Sequence, residues 1–174
     1  MLELVIDLLM DTTVDNARSE AFEQVVTATR RPLLLFLVRL LGDPEEALDV
    51  LQETFARAAT QRGFLDDDFN RTAWLYRVAG NLGKSTLRRL KRMLRLSPAP
   101  AEVPAPLERI LDNEKRVKVQ NALARLDFGH RQVILLRFYL DLSYSEIAEV
   151  LSVPIGTVMS RLNRAKAQLE RSLR

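Results

Sequence analysis

Lys84 and Ser85 follow Gly83 in the run Gly80-Asn81-Leu82-Gly83-Lys84-Ser85-Thr86. A glycine, a lysine and a hydroxyl in that order form the tail of a phosphate-binding loop. There the lysine reaches the β- and γ-phosphates of a nucleotide and the hydroxyl holds Mg²⁺. That chemistry also needs a glycine at position 78, where Val78 stands, and a strand leading into the loop. Leu75, Val78, Ala79 and Leu82 follow helical spacing instead, and no second acidic strand for Mg²⁺ is evident. The same residues have another use on a helix. Arg77, Asn81, Lys84 and Arg88 recur at i, i+4, i+7 and i+11 and make one polar stripe. From Arg71 to Leu96 there are eight Lys/Arg and no Asp/Glu. Each cation can neutralise a phosphate and release a counterion, so the stripe is either a nucleic-acid face or a solvated basic one. Gly80 and Gly83 each cost such a helix about 1 kcal/mol; they permit close approach to a ligand or are simply tolerated.

A second constellation is LSYSEIAEVLSVPIGTVMSRLNRAKAQL, Leu142 to Leu169. Ser143 and Glu146 have the S-x-x-E spacing of a capping box, which starts a helix. Ile147, Ala148 and Leu151 form its apolar side. Ser152-Val153 is a short turn, and Pro154 suits the first residue of a following helix. At about 100° per residue, Val158, Leu162, Ala165 and Leu169 of that second helix share one side. Ser160, Asn163 and Arg164 face the other way. Thr157 and Arg161 flank one edge, Met159 and Lys166 the other. A short helix, a tight turn and a second helix with a polar, cationic outer face suit a major groove; the plainer alternative is a helical hairpin.

The elements that position these residues are helices. Hydrophobic residues make up 47% of the 174 residues, charged residues 28% and aromatics 6%, a globular composition rich in helix formers. Strict alternation and hairpin dipeptides are lacking. Leu2, Val5, Ile6 and Leu9 have the spacing of a short amphipathic helix. Another begins at Phe22, Val25 and Val26, and Leu33 to Leu41 reads as its buried part. Gly42-Asp43-Pro44 stops it. A helix from Glu45 to about Gln61 then carries Leu48, Leu51, Phe55, Ala58 and Ala59 on one side and Asp49, Gln52, Glu53 and Ala56 on another. Arg62 to Asn70 is a looser segment. The run SPAPAEVPAP, Ser97 to Pro106, has four prolines that remove backbone donors and fix φ, which makes an extended linker. The expected organisation is thus a unit over 1–96, a Pro-rich linker over 97–106 and a unit over 107–174.

Charge divides unevenly although the net charge is only +3. Met1 to Glu53 holds eleven Asp/Glu against four Arg, so an acidic face and a basic face are meant for different partners. The absence of cysteine excludes disulfides and thiolate metal sites, and a single histidine, His130, disfavours a histidine site. No metal or cofactor is expected. The first residues, MLELVIDLLMD, lack the basic start of a signal peptide and are too short to span a bilayer, so membrane insertion is not expected and a cytoplasmic location is.

Taken together, these motifs resemble the extracytoplasmic-function group of bacterial sigma factors, over about Ala21 to Arg174. ALDVLQETFARA (Ala47 to Ala58) is similar to their polymerase-binding helix in region 2. TAWLYRVAGNLGKSTLRRLKR (Thr72 to Arg92) is similar to their −10 recognition segment, and LSYSEIAEVLSVPIGTVMSRLNRAK (Leu142 to Lys166) to their region 4 helix-turn-helix. The resemblance implies an all-α protein, a region 2 helical bundle and a region 4 helix-turn-helix joined by the Pro-rich linker, with no catalysis of its own. It implies that Asp49, Gln52 and Glu53 meet the β′ clamp helices of core RNA polymerase, and that the β flap is a further contact. Arg77, Asn81, Lys84, Ser85 and Arg88 would engage the −10 element, with the loop Arg62 to Asn70 capturing a flipped base at a cost of a few kcal/mol. Ser160, Asn163 and Arg164, flanked by Thr157, Met159 and Arg161, would read the −35 element of promoter DNA. Many members of the family are held inactive by an anti-sigma factor, an implied partner here too. The chain departs from the family at Met159, where Lys or Arg is usual, and at Ser85, where an acid or amide is common. Asp66-Asp67-Asp68 is a third departure, an acidic run in the capture loop. Trp74 and Tyr76, with Phe64 and Phe69 nearby, are expected to pack the core, stacking on an opened strand being the alternative. A repressor or activator that never enters polymerase would leave the stripe of Asp49, Gln52 and Glu53 without a purpose.

Overall fold

Leu33, Phe36, Leu37 and Leu40 stand at i, i+3, i+4 and i+7, and in the computed structural model all four are buried. They line the C-terminal half of helix α1 (Leu2–Leu41). The structure describes residues 2–96 and 113–173, with side chains over 16–93 and 118–173; the expected linker lies outside the described residues. α1 is one helix where two were expected. Pro32 sits inside it at a cost of roughly 3 kcal/mol, against which the apolar run just after it is buried. Gly42 ends α1 at φ +79°, a left-handed conformation open to glycine without strain. Asp43 then caps α2 (Pro44–Thr60), its carboxylate accepting from the backbone N–H of Glu45 and Glu46, with Pro44 at the first helical position.

The buried face of α2 is Ala47, Val50, Leu51, Thr54 and Ala58, rotated from the one expected. Leu48 is 40% exposed and Ala59 is exposed. α2 lies against both α1 and α3, and that double contact selects the stripe it covers. Helix α3 (Arg71–Leu96) runs unbroken through both glycines. After residues 97–112 come α4 (Asn113–Ala124), α5 (Phe128–Phe138), α6 (Tyr144–Leu151) and α7 (Ile155–Leu173). Among the described residues there is no strand. The Ser143–Glu146 capping box forms reciprocally, and Ser152 closes α6 in the left-handed conformation. Pro154 precedes the first residue of α7, and its carbonyl accepts from Thr157 and Val158.

The two halves of the chain share one core. A single cluster runs from Leu33 and Phe36 of α1 through Leu75 and Ala79 of α3 to Val133, Ile147, Val158 and Leu162. Contacts between the halves run from α1 to α4 and α5, and from α3 to α6. At their centre Arg131 of α5 is only 8% exposed. Its guanidinium donates to the carbonyls of Leu40 at 2.6 Å, Ala124 at 2.7 Å and Leu126 at 3.2 Å. Leu40 is in the last turn of α1 and Ala124 ends α4, so one cation satisfies the orphan carbonyls of two helices. Burial holds its pKa below the ordinary arginine value. Replacing it by Met leaves buried acceptors unmade, each costing about 1–3 kcal/mol. Arg131→Met is therefore expected to lower the unfolding free energy by about 3 kcal/mol in urea denaturation; a loss under about 0.5 kcal/mol would show that these bonds add little to the fold.

Candidate nucleic-acid interface

Arg71 organises the loop from 62 to 70. Its guanidinium donates to the carbonyls of Phe64, Leu65 and Asp66 at 3.0, 2.7 and 3.1 Å. Asn70 caps α3 by accepting from the Ala73 N–H at 3.0 Å. Gly63 has φ +71°, and the loop then turns Phe64 inward, where it is 2% exposed. Phe64 meets Phe22, Phe69 and Trp74 edge to face, with ring centroids 6.0, 5.6 and 5.5 Å away. Tyr76 packs against Phe36, and burial pushes its phenol pKa well above the ordinary value. These aromatics thus form part of the core, as expected for Trp74 and Tyr76. Asp66, Asp67 and Asp68 remain exposed at the surface.

On α3, Asn81, Lys84, Ser85 and Arg88 are exposed and lie along one face. The Ser85 hydroxyl donates to the Asn81 carbonyl at 3.2 Å, which leaves its oxygen free to accept from outside. Arg77 is different. It is half-buried, and its guanidinium donates to the carbonyls of Glu149 at 2.7 Å and Val150 at 3.2 Å, at the C-terminus of α6. The glycines are both buried. A Cβ on Gly80 would collide with the Gln132 amide of α5, and one on Gly83 would lie 3.2 Å from a methyl of Leu41. The close approach they permit is to the protein's own helices, not to a ligand.

Asp49, Gln52 and Glu53 are all exposed on α2. Glu53 pairs with Arg57 at 2.8 Å, both side chains about half exposed, a contact of little energetic weight. Arg89 donates to the Glu46 carboxylate at 2.7 Å and ties α3 to α2. The acidic and basic faces therefore sit on neighbouring helices of one bundle.

α7 buries Val158, Leu162 and Ala165 and half-buries Leu169. Ser160, Asn163 and Arg164 are exposed opposite them, and Met159 is 48% exposed. Thr157 and Arg161 are half-buried at the edge; the Arg161 guanidinium lies over Gly129 of α5. Ile155, missed in the sequence, is 50% exposed one turn before Met159. Also missed was an apolar groove of about 400 Å³ between α1, α4, α5 and α7, lined by Leu123, Ile134, Phe138 and Leu169 among others. Phe138 is 60% exposed there, with the Lys166 ammonium 5.3 Å above its ring. Its residues come from four helices, so no linear pattern displays it. Among the described residues there is no cluster of acids and histidine fit for a metal, and no helix is long and apolar enough to cross a membrane.

The family models for sigma-70 region 2 and sigma-70 region 4 match residues 25–93 and 116–169. RNA polymerase sigma-H factor of Pseudomonas aeruginosa is 31% identical, over 92% of this chain and 90% of its own. The ECF RNA polymerase sigma factor SigW of Bacillus subtilis is 29% identical, over 92% and 93%. Among solved structures, CnrH in complex with the cytosolic domain of CnrY is 31% identical, with TM-score 0.65, over 89% of this chain and 88% of that one. Sigma factor RpoE in complex with the anti-sigma factor NepR, from Bartonella quintana, shares the fold with TM-score 0.75 at 24% identity, over 87% and 96%.

The helix-turn-helix itself carries a pH test. Glu146 accepts from the Ser143 N–H at 2.7 Å, and its own N–H donates to the Ser143 hydroxyl at 3.2 Å. The Ser143 side chain first, and then the Ser143 backbone N–H, stabilise the carboxylate and hold the Glu146 carboxyl below its ordinary pKa. A carboxyl depressed in the folded state stabilises above its unfolded pKa, and that contribution is lost as pH falls through the folded one. Glu146→Gln is therefore expected to flatten part of the acid-side fall in stability measured by denaturant titration between about pH 7 and pH 3. Parallel curves for the two proteins would remove the capping box as their cause.

Proposed function

The chain belongs to the extracytoplasmic-function group of the sigma-70 family, and from that premise we propose a division of labour among its exposed faces. It binds core RNA polymerase and directs promoter-specific transcription initiation through −10 and −35 elements. It is an initiation factor, and on our reading the bond-forming chemistry is wholly that of polymerase, in the cytoplasm. Helices α1–α3 are the region 2 unit within 1–96, and α4–α7 the region 4 unit within 107–174, with 97–106 as tether.

Asp49, Gln52 and Glu53 are assigned to the β′ clamp helices, with exposed Leu48 adding apolar contact beside them. The exposed face of Asn81, Lys84, Ser85 and Arg88 is assigned to the −10 element, with Arg77 joining it when free of α6. Ser160, Asn163 and Arg164 are assigned to base edges and phosphates of the −35 element, with Thr157 and Arg161 at the rim. Met159 offers no donor; an apolar side chain in the major groove favours the thymine methyl. The groove beside Phe138 suits an apolar helix, from the β flap or from an anti-sigma factor. The observation that carries this reading is the outward basic stripe of α3: among the described residues neither Lys84 nor Arg88 has an acidic partner.

The direct test is whether the purified protein gives core polymerase promoter-specific initiation. No initiation on any genomic promoter, with tight binding to duplex DNA alone, would favour a repressor or activator. Lys84→Ala and Arg88→Ala are each expected to lower the slope of log affinity against log salt by about 0.7–0.9; an unchanged slope would refute their phosphate contacts. Asp49→Arg with Glu53→Arg should weaken core-polymerase binding about tenfold, about 1.4 kcal/mol, in a direct binding titration. Met159→Lys should shift the −35 sequences recovered by selection away from thymine at one position; an unchanged preference would show that Met159 does not read a base.

A further inference from the structure

Ile155 opens α7, Met159 follows one turn later, and both are about half exposed. Neither joins the core or the residues packed against it. Single apolar side chains at a surface are ordinary, but two at i and i+4 are neighbours and make one strip. The next member of that row is Asn163, exposed and assigned to the −35 element. The strip therefore leads from the start of the helix onto its DNA-facing side.

The side chains around the strip offer DNA little else. Gly156 has none, and a Cβ there would meet nothing within 4 Å, so the backbone beside Ile155 is bare. The Ser160 hydroxyl donates to the Thr157 carbonyl at 3.0 Å, which leaves only its oxygen lone pairs to face outward. Arg161 is turned toward Gly129 of α5. The first exposed side chains of α7 with a free donor are thus Asn163 and Arg164, about two turns from its start. In a helix-turn-helix the N-terminal residues of the second helix are the ones that meet base edges. Without donors, the major-groove feature they can select is the thymine methyl.

We propose that Ile155 and Met159 form one apolar reading strip that selects two thymine methyls of the −35 element, with Ile155 a specificity-determining residue beside Met159. This rests on the assignment of α7 to that element, and adds to it a residue and a spacing. Four residues of helix rise about 6 Å, and successive base pairs are about 3.4 Å apart. The two methyls therefore lie one or two steps apart. Thymine is favoured because its methyl is buried against the strip. Cytosine is rejected because it has no methyl there and its amino donor is left unpaired against apolar carbon.

The test removes the methyl alone. The full chain is combined with core polymerase, and the −35 sequences it prefers are recovered by selection. Each thymine of either strand is then replaced in turn by deoxyuridine, and binding of the assembled holoenzyme is titrated. Two replacements, one or two steps apart, are each expected to weaken binding about fourfold, the worth of one buried methyl. Ile155→Ala should abolish the effect at one of them and Met159→Ala at the other, while Ile155→Leu keeps both. Promoter-specific initiation with no methyl-sensitive thymine, or sensitivity that survives both alanine variants, would overturn the strip and leave the assigned function standing. If Ile155→Ala weakens capture of core polymerase with base preference unchanged, the strip is a protein contact and the proposal falls. A chain that never gives promoter-specific initiation would overturn the assigned function and the strip with it.

Discussion

The guanidinium of Arg131 is the point on which the arrangement of the two halves turns. It is buried, and it is tolerated there because three helix-end carbonyls receive its protons. Those carbonyls belong to the end of α1, the end of α4 and the turn after it. A buried cation without them would carry a large desolvation cost; the carbonyls without the cation would be orphans at buried helix ends. Each compensates the other, and the result fixes the last turn of α1 against α5. The continuous core from Leu33 to Leu162 surrounds that contact.

Around this point the helices separate support from display. α1 is the support: its apolar run touches α2, α3, α4 and α5. α2, α3 and α7 each give one face to the core and one to solvent. Chemistry of opposite sign is displayed on adjacent helices, acidic on α2 and basic on α3, with Arg89 and Glu46 joining them. Faces of opposite sign are thus presented to solvent side by side on one small bundle.

Much of this was legible in the residues. The Ser143–Glu146 box, the turn at Ser152, the stop at Gly42-Asp43-Pro44 and the faces of α3 and α7 depend on interactions within a few residues, so local spacing displays them. The inward packing of Tyr76 and Trp74 was also expected. The buried side of α2 was not, because Leu48 and Ala59 have the right spacing for burial and only contact with two neighbours decides which stripe is covered. Nor was the continuity of α1 legible, since the polar stretch between Leu9 and Phe22 separates two helical patterns.

The two glycines of the α3 run show where the division falls. Sequence alone removed the phosphate-binding loop, because Val78 stands where a glycine is required and the spacing around it is helical. It also marked Gly80 and Gly83 as costly in a helix, and left open whether they permit close approach to a ligand or are simply tolerated. What approaches was decided only by tertiary structure: Gln132 at Gly80 and Leu41 at Gly83. Local periodicity reports which face of a helix is polar or apolar. It carries no record of which distant side chain will fill the space beside a missing Cβ, because that depends on how helices far apart in the chain pack together.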